Sequence, residues 1–167
     1  MLPLAVPPAN AYKPATTSAI VVPWIRNERA AVVGAKTTSY AENVVALRWA
    51  HERGFSEGLF MNSAENLSEG TGTNVFVVID GQVVTPGLNS GCLAGITREL
   101  ILEWGMAVEG ELPPSALENA DEVFLTSSTR DIHPVLSLGD RRWETAGKVS
   151  RALSAQYVRR ITQDVDP

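Results

Sequence analysis

Apolar positions along this chain of 167 residues follow two rhythms. Short β-branched runs bounded by turn residues predict strands at about 19–25, 58–62, 74–79, 82–85 and 122–126. Pro23 cannot donate to a sheet ladder, so the first strand is expected at an edge or near an end, with the charged Arg26-Asn27-Glu28-Arg29 as the turn after it. Asp80-Gly81 is a tight-hairpin signal, because both residue types accept positive φ. With the strand before it, that hairpin predicts an antiparallel meander.

The second rhythm is helical. Val44, Leu47 and Ala50 recur at helix spacing over residues 40–53, Ser39 and Glu42 have the spacing of a capping box, and Gly54 supplies a stop. Further helices are expected at 97–106, after Pro113-Pro114-Ser115, and at 146–161. Strands in runs, interrupted by helices without strict alternation, predict an α+β fold rather than a doubly wound sheet.

Composition narrows the class. Four of the ten prolines fall in the first fourteen residues, so 1–18 is expected to be an extended linker, 19–162 one compact domain and 163–167 a short tail. With 44% apolar residues the chain can bury one sizeable core. A net charge of −5 opposes the basic stripe that nucleic acid needs. No apolar run approaches the roughly 18 to 20 residues of a membrane span, and the start lacks a secretory pattern. Cys92 is the single cysteine, which excludes an intrachain disulfide and a thiolate cluster and makes the cytoplasm the expected compartment. His51 and His133 lack metal-site spacing, so no metal is expected. Trp24, Trp49, Trp104 and Trp143 read as core or packing residues.

Four segments carry candidate chemistry, each with a bland alternative. Lys36, just before the first helix, offers an amine that can condense with an aldehyde if a buried setting lowers its pKa; alone it reads as a solvated surface lysine. Ser68-Glu69-Gly70 enters a buried strand, where a carboxylate facing a pyridine nitrogen would keep it protonated; alone it is a turn. Gly95-Ile96-Thr97-Arg98 opens a helix whose unpaired amides suit a phosphate, or else Thr97 is an ordinary N-cap. Ser127-Ser128-Thr129-Arg130 places hydroxyls and a guanidinium beyond a strand, where they can meet an anion or simply solvate a loop.

The order of these motifs, with Asn74, Phe76 and Ala120-Asp121-Glu122-Val123-Phe124 between them, resembles the class-IV aminotransferase and 4-amino-4-deoxychorismate lyase family over about residues 19–150. The resemblance implies the large, C-terminal domain of a fold-type-IV enzyme, mostly antiparallel strands in a pseudo-barrel flanked by helices, with pyridoxal 5′-phosphate as cofactor. It implies Lys36 as the Schiff-base and proton-carrying residue, Glu69 at the pyridine nitrogen and Leu93 against the ring. It further implies Gly95, Ile96 and Thr97 at the phosphate, Ser127 and Ser128 beside it, Tyr40 near the cofactor, and Thr129 and Arg130 toward substrate. Complete members begin with a smaller α/β domain that supplies a phosphate-binding arginine and one pocket wall, and this chain is expected to lack it. Between the family's reactions the Ser127-Ser128-Thr129 loop leans toward the lyase, which releases pyruvate and 4-aminobenzoate in folate synthesis. A branched-chain or D-amino-acid aminotransferase is the alternative, and a non-catalytic fragment the alternative of another class. Partners implied are an amino-acid or aminodeoxychorismate substrate and, for the full-length form, a second copy in a homodimer.

Overall fold

The computed structural model describes residues 15–163; the expected linker over 1–14 and tail over 164–167 lie outside them. Nine strands and four helices follow in the order β1 (Thr17–Arg26), α1 (Ala41–His51), β2 (Glu57–Asn62), β3 (Leu67–Gly70), β4 (Asn74–Ile79), β5 (Gln82–Pro86), α2 (Ile96–Glu103), β6 (Val108–Gly110), α3 (Pro114–Glu118), β7 (Glu122–Ser127), β8 (Asp131–Leu138), β9 (Arg141–Arg142) and α4 (Lys148–Gln163). They form one sheet ordered β3-β2-β1-β8-β7-β4-β5-β6, with β9 on β8.

The mixture of pairings explains both what the sequence pattern predicts and where it falls short. Asp80 and Gly81 take φ of 51° and 77° and close β4 on β5, with Ile79 opposite Gln82, so the hairpin forms as expected. The meander does not extend backward: β2 pairs with β3 and β1, on the far side of the sheet from β4. A strand joined to a parallel neighbour needs a crossover, and α1 supplies it between β1 and β2. β1 is therefore central, contrary to the edge position expected from Pro23. The proline is tolerated because pairing with β8 covers only Thr17–Ala19, and the register with β2 slips between Val21 and Ile25. Arg26 closes β1 instead of opening a turn, and β1 starts at Thr17, inside the stretch expected to be linker.

Strand alternation sorts side chains to two faces. Leu59 and Leu67 from one end of the sheet join Val75, Val77, Val123 and Leu125 from the other in one buried cluster, which requires the sheet to curl onto itself. On the outer face Phe76 and Phe124 stack with centroids 4.8 Å apart beneath α2 and α4, with Ile101, Leu153 and Tyr157 closing the layer. The result is the curled, mostly antiparallel α+β half-barrel the sequence predicts.

Two helix details differ. The capping box does not form: Tyr40 is the N-cap without a side-chain bond, and Glu42 turns to Arg26 at 3.3 Å. Helix α1 buries Ala46 and Ala50, with Ala46 against Val22 and Phe60, and leaves Val44 out, because the face turned to the sheet runs through Ala46 rather than Val44. Trp24 is 43% exposed with its edge on Trp49 at 6.1 Å, so of the core or packing role expected it takes the packing one. Among the described residues no helix is long and apolar enough to cross a membrane.

Candidate active site

A cavity of about 660 Å³ opens between the ends of β3, β4 and β7, the start of α2 and the segment 27–40 that leads from β1 into α1. Lys36, Tyr40, Glu69, Leu93, Gly95, Ile96, Thr97, Ser127 and Ser128 all line it. Residues as far apart in sequence as Lys36 and Ser128 are thus brought to one place by the curl of the sheet. Thr129 and Arg130 are not in the wall. Thr129 Oγ1 lies 3.2 Å from Ser127 Oγ, and Arg130 reaches Glu57 at 3.9 Å, so the expected substrate contacts are not supported by their placement.

Lys36 stands on the open side, exposed, with Nζ 3.5 Å from Tyr40 Oη and 5.5 Å from its ring centroid. The buried lysine expected from the chemistry is therefore not what this chain alone provides. Tyr40, four residues on and just before α1, is the partner that the amine meets.

Glu69 is the opposite case, with a side chain only 13% exposed. Its Oε2 accepts a bond from the Leu93 amide at 2.9 Å, and its Oε1 lies 3.0 Å from Arg26 Nε. Burial pushes its carboxyl above the ordinary carboxylate range, while the Leu93 amide and the Arg26 charge pull it back down. Each oxygen keeps a free lone pair, so the carboxylate can still accept a proton-bearing ring nitrogen.

At the other end, Gly95 caps α2 in extended geometry with no side-chain bond to the first amides. A Cβ there would run into the Asn74 amide oxygen, so glycine lets the loop press onto β4. Asn74 Nδ2 donates to the Leu93 carbonyl at 2.7 Å and holds the same loop. Thr97 is inside the first turn, not the N-cap, and its Oγ1 lies 3.4 Å from Tyr157 Oη. An uncapped eight-residue helix start, a buried carboxylate and an amine around one cavity form a donor set that matches phosphate, pyridinium and aldehyde in turn.

Sequence reasoning missed two residues. Arg26 binds Asn43 Oδ1 at 2.9 Å as well as Glu42 and Glu69, with its guanidinium 4.3 Å above Phe60. Glu57 is 2% exposed and accepts from the Gly58 amide, the Thr71 amide at 3.0 Å and the Thr71 hydroxyl, which fixes the loop at 71–73 in the cavity wall. A carboxylate inside an apolar strand was the available signal for Glu57. Arg26 had none, because its meaning depends on which strands flank β1.

The family model described as amino-transferase class IV matches residues 1–138. A relative from Aquifex aeolicus, named as a probable branched-chain-amino-acid aminotransferase, is 35% identical over 131 residues, 71% of this chain and 41% of its own length. The crystal structure of a branched-chain amino acid aminotransferase from Thermobaculum terrenum in its PLP form superposes with a TM-score of 0.82 at 28% identity, covering 95% of this chain and 54% of that one. A Legionella pneumophila structure named for 4-amino-4-deoxychorismate lyase gives 0.79 at 28% identity, over 92% of this chain and 58% of that one. The chain thus spans between about two-fifths and three-fifths of the length of these relatives.

Proposed function

Because the chain belongs to the amino-transferase class IV family, we propose that it is the cofactor-bearing part of a pyridoxal 5′-phosphate-dependent aminotransferase acting on amino acids. The supporting observation is the convergence of Lys36, Glu69 and the uncapped start of α2 on one cavity. Bound there, the cofactor would supply an aldehyde for an amine and a ring that takes up electrons. Glu69 would hold the ring nitrogen's proton, and its Arg26 and Leu93 contacts favour the charged form against the burial that opposes it. The amides of Ile96 and Thr97 would hold the phosphate, Ser127 and Ser128 would flank it, and Leu93 would bear on the ring. Lys36 Nζ would hold the cofactor and then take and return the substrate's α-proton, with Tyr40 orienting the amine.

Relatives named for branched-chain amino acids favour such substrates, and they outweigh the lean toward the lyase drawn from Ser127-Ser128-Thr129. The lyase reading keeps the support of the Legionella neighbour. Cytoplasmic residence and a homodimer of the full-length form complete the proposal; exposed Trp24, Ile25, Val44 and Val45 give a second copy an apolar surface to cover.

Adding pyridoxal 5′-phosphate should produce a visible absorbance band that Lys36→Ala abolishes. Leucine with 2-oxoglutarate should then yield glutamate, whereas aminodeoxychorismate would yield 4-aminobenzoate from a lyase. A colourless chain that the lysine substitution leaves unchanged overturns the proposal in favour of a non-catalytic fragment.

A further inference from the structure

We propose that Thr126 is an additional ligand for the phosphate at the start of α2, a role that rests on the function proposed above. Thr126 is 1% exposed and lines the cavity, yet its Oγ1 has no hydrogen-bond partner among the described residues. A buried hydroxyl left unmatched has given up its water partners with nothing in return. Such a group in a cavity wall is best explained by a ligand that satisfies it.

The register fixes where that ligand lies. Thr126 on β7 is opposite Asn74 on β4, and residues directly opposite in an antiparallel pair project to the same face. Asn74 touches Gly95 through its amide oxygen, so the face carrying Thr126 looks at the uncapped turn of α2. The neighbouring hydroxyl of Thr97 is engaged with Tyr157 and that of Ser127 with Thr129, whereas that of Thr126 is buried and without a partner among the described residues. In the present rotamer Oγ1 is closed off from solvent; rotation about χ1 exchanges it with the methyl and turns the O–H toward the anion. That exchange runs between staggered χ1 wells.

The ligand class is a phosphate monoester dianion, because the uncapped amides and a hydroxyl are all donors. The test compares pyridoxal 5′-phosphate with pyridoxal, which lacks the phosphate, on wild type, Thr126→Val and Thr126→Ser. One hydrogen bond to a charged group corresponds to about a tenfold change in affinity. Thr126→Val should weaken pyridoxal 5′-phosphate by that factor, leave pyridoxal unchanged, and raise the unloaded chain's thermal midpoint by removing the unmatched hydroxyl. Thr126→Ser should restore phosphate-dependent affinity. Equal losses for both aldehydes, or no loss for either, overturn the assignment.

Inorganic phosphate, followed by broadening of its phosphorus resonance, reads the anion site alone. Phosphate binding that weakens with Thr126→Val in a chain that forms no coloured complex upholds the Thr126 assignment and overturns the cofactor reading. Binding of neither probe overturns both.

Discussion

Arg26 and Glu69 meet across a strand that belongs to neither: β2 lies between β1 and β3, and the arginine passes over Phe60 to bring Nε 3.0 Å from Oε1. The pair ties the carboxylate to the same side chain that grips Asn43 and Glu42 at the start of α1. With both side chains below 15% exposure, removing one partner strands the other charge. Arg26→Met should cost about 3 kcal/mol, the scale for breaking a buried pair, in urea unfolding. A loss under about 0.5 kcal/mol would mean solvent screens the pair.

Glu69 gives the unloaded chain a signed pH dependence. Burial raises its folded-state value above the unfolded one, so the native state holds the extra proton between the two. Its contribution to stability is full below the unfolded value and is lost as pH rises through the folded value. Unfolding free energies measured upward from about pH 4 should fall through that window, and Glu69→Gln should flatten the fall. Arg26→Met should widen the window upward, since a force lowering the carboxyl is gone.

Glu57 supports the cavity wall without lining it. Replacing it by alanine leaves the Thr71 amide and hydroxyl without their acceptor in a buried setting. The expected cost is about 2–4 kcal/mol, with Glu57→Gln recovering part of it, and chemical denaturation measures both. Proteolysis at 71–73 should accelerate in the alanine variant first.

Gly95 and Asn74 should be strongly non-additive. Gly95→Ala forces a methyl into the Asn74 amide oxygen and should cost about 1–3 kcal/mol and displace the start of α2, weakening pyridoxal 5′-phosphate binding. Shortening Asn74 to alanine in that background should restore part of the stability, while the same change alone destabilises by freeing the Leu93 carbonyl. A double-mutant cycle with zero coupling would show that the contact is relieved elsewhere.

Local chemistry was legible where it was carried by neighbours in sequence. The Asp80-Gly81 turn, the Gly54 stop at φ 81°, the proline-led α3 and the four motifs in order could all be read from short windows, and nine of the residues singled out share a cavity. What could not be read depends on non-local pairing. Pro23 argued for an edge because its missing amide is a local fact, whereas the slip in register that absorbs it is set by β2. Ser39 and Glu42 had capping-box spacing, but a guanidinium delivered from β1 competes for Glu42. Arg130 had the charge to meet a substrate, yet the buried Glu57 faces it from another strand.

The amine and its electrostatic partners occupy ground of very different rigidity. Glu69, Asn74 and Thr126 sit on the sheet, while Lys36 rides an arch whose described backbone hydrogen bonds over 30–39 stay within residues 27–40. Clamping that arch onto an occupant consumes conformational entropy that the sheet residues have already surrendered during folding. Occupancy should therefore carry an unfavourable entropic signature concentrated in ten residues, and trimming or stiffening the arch would tune affinity without touching any group that meets the ligand.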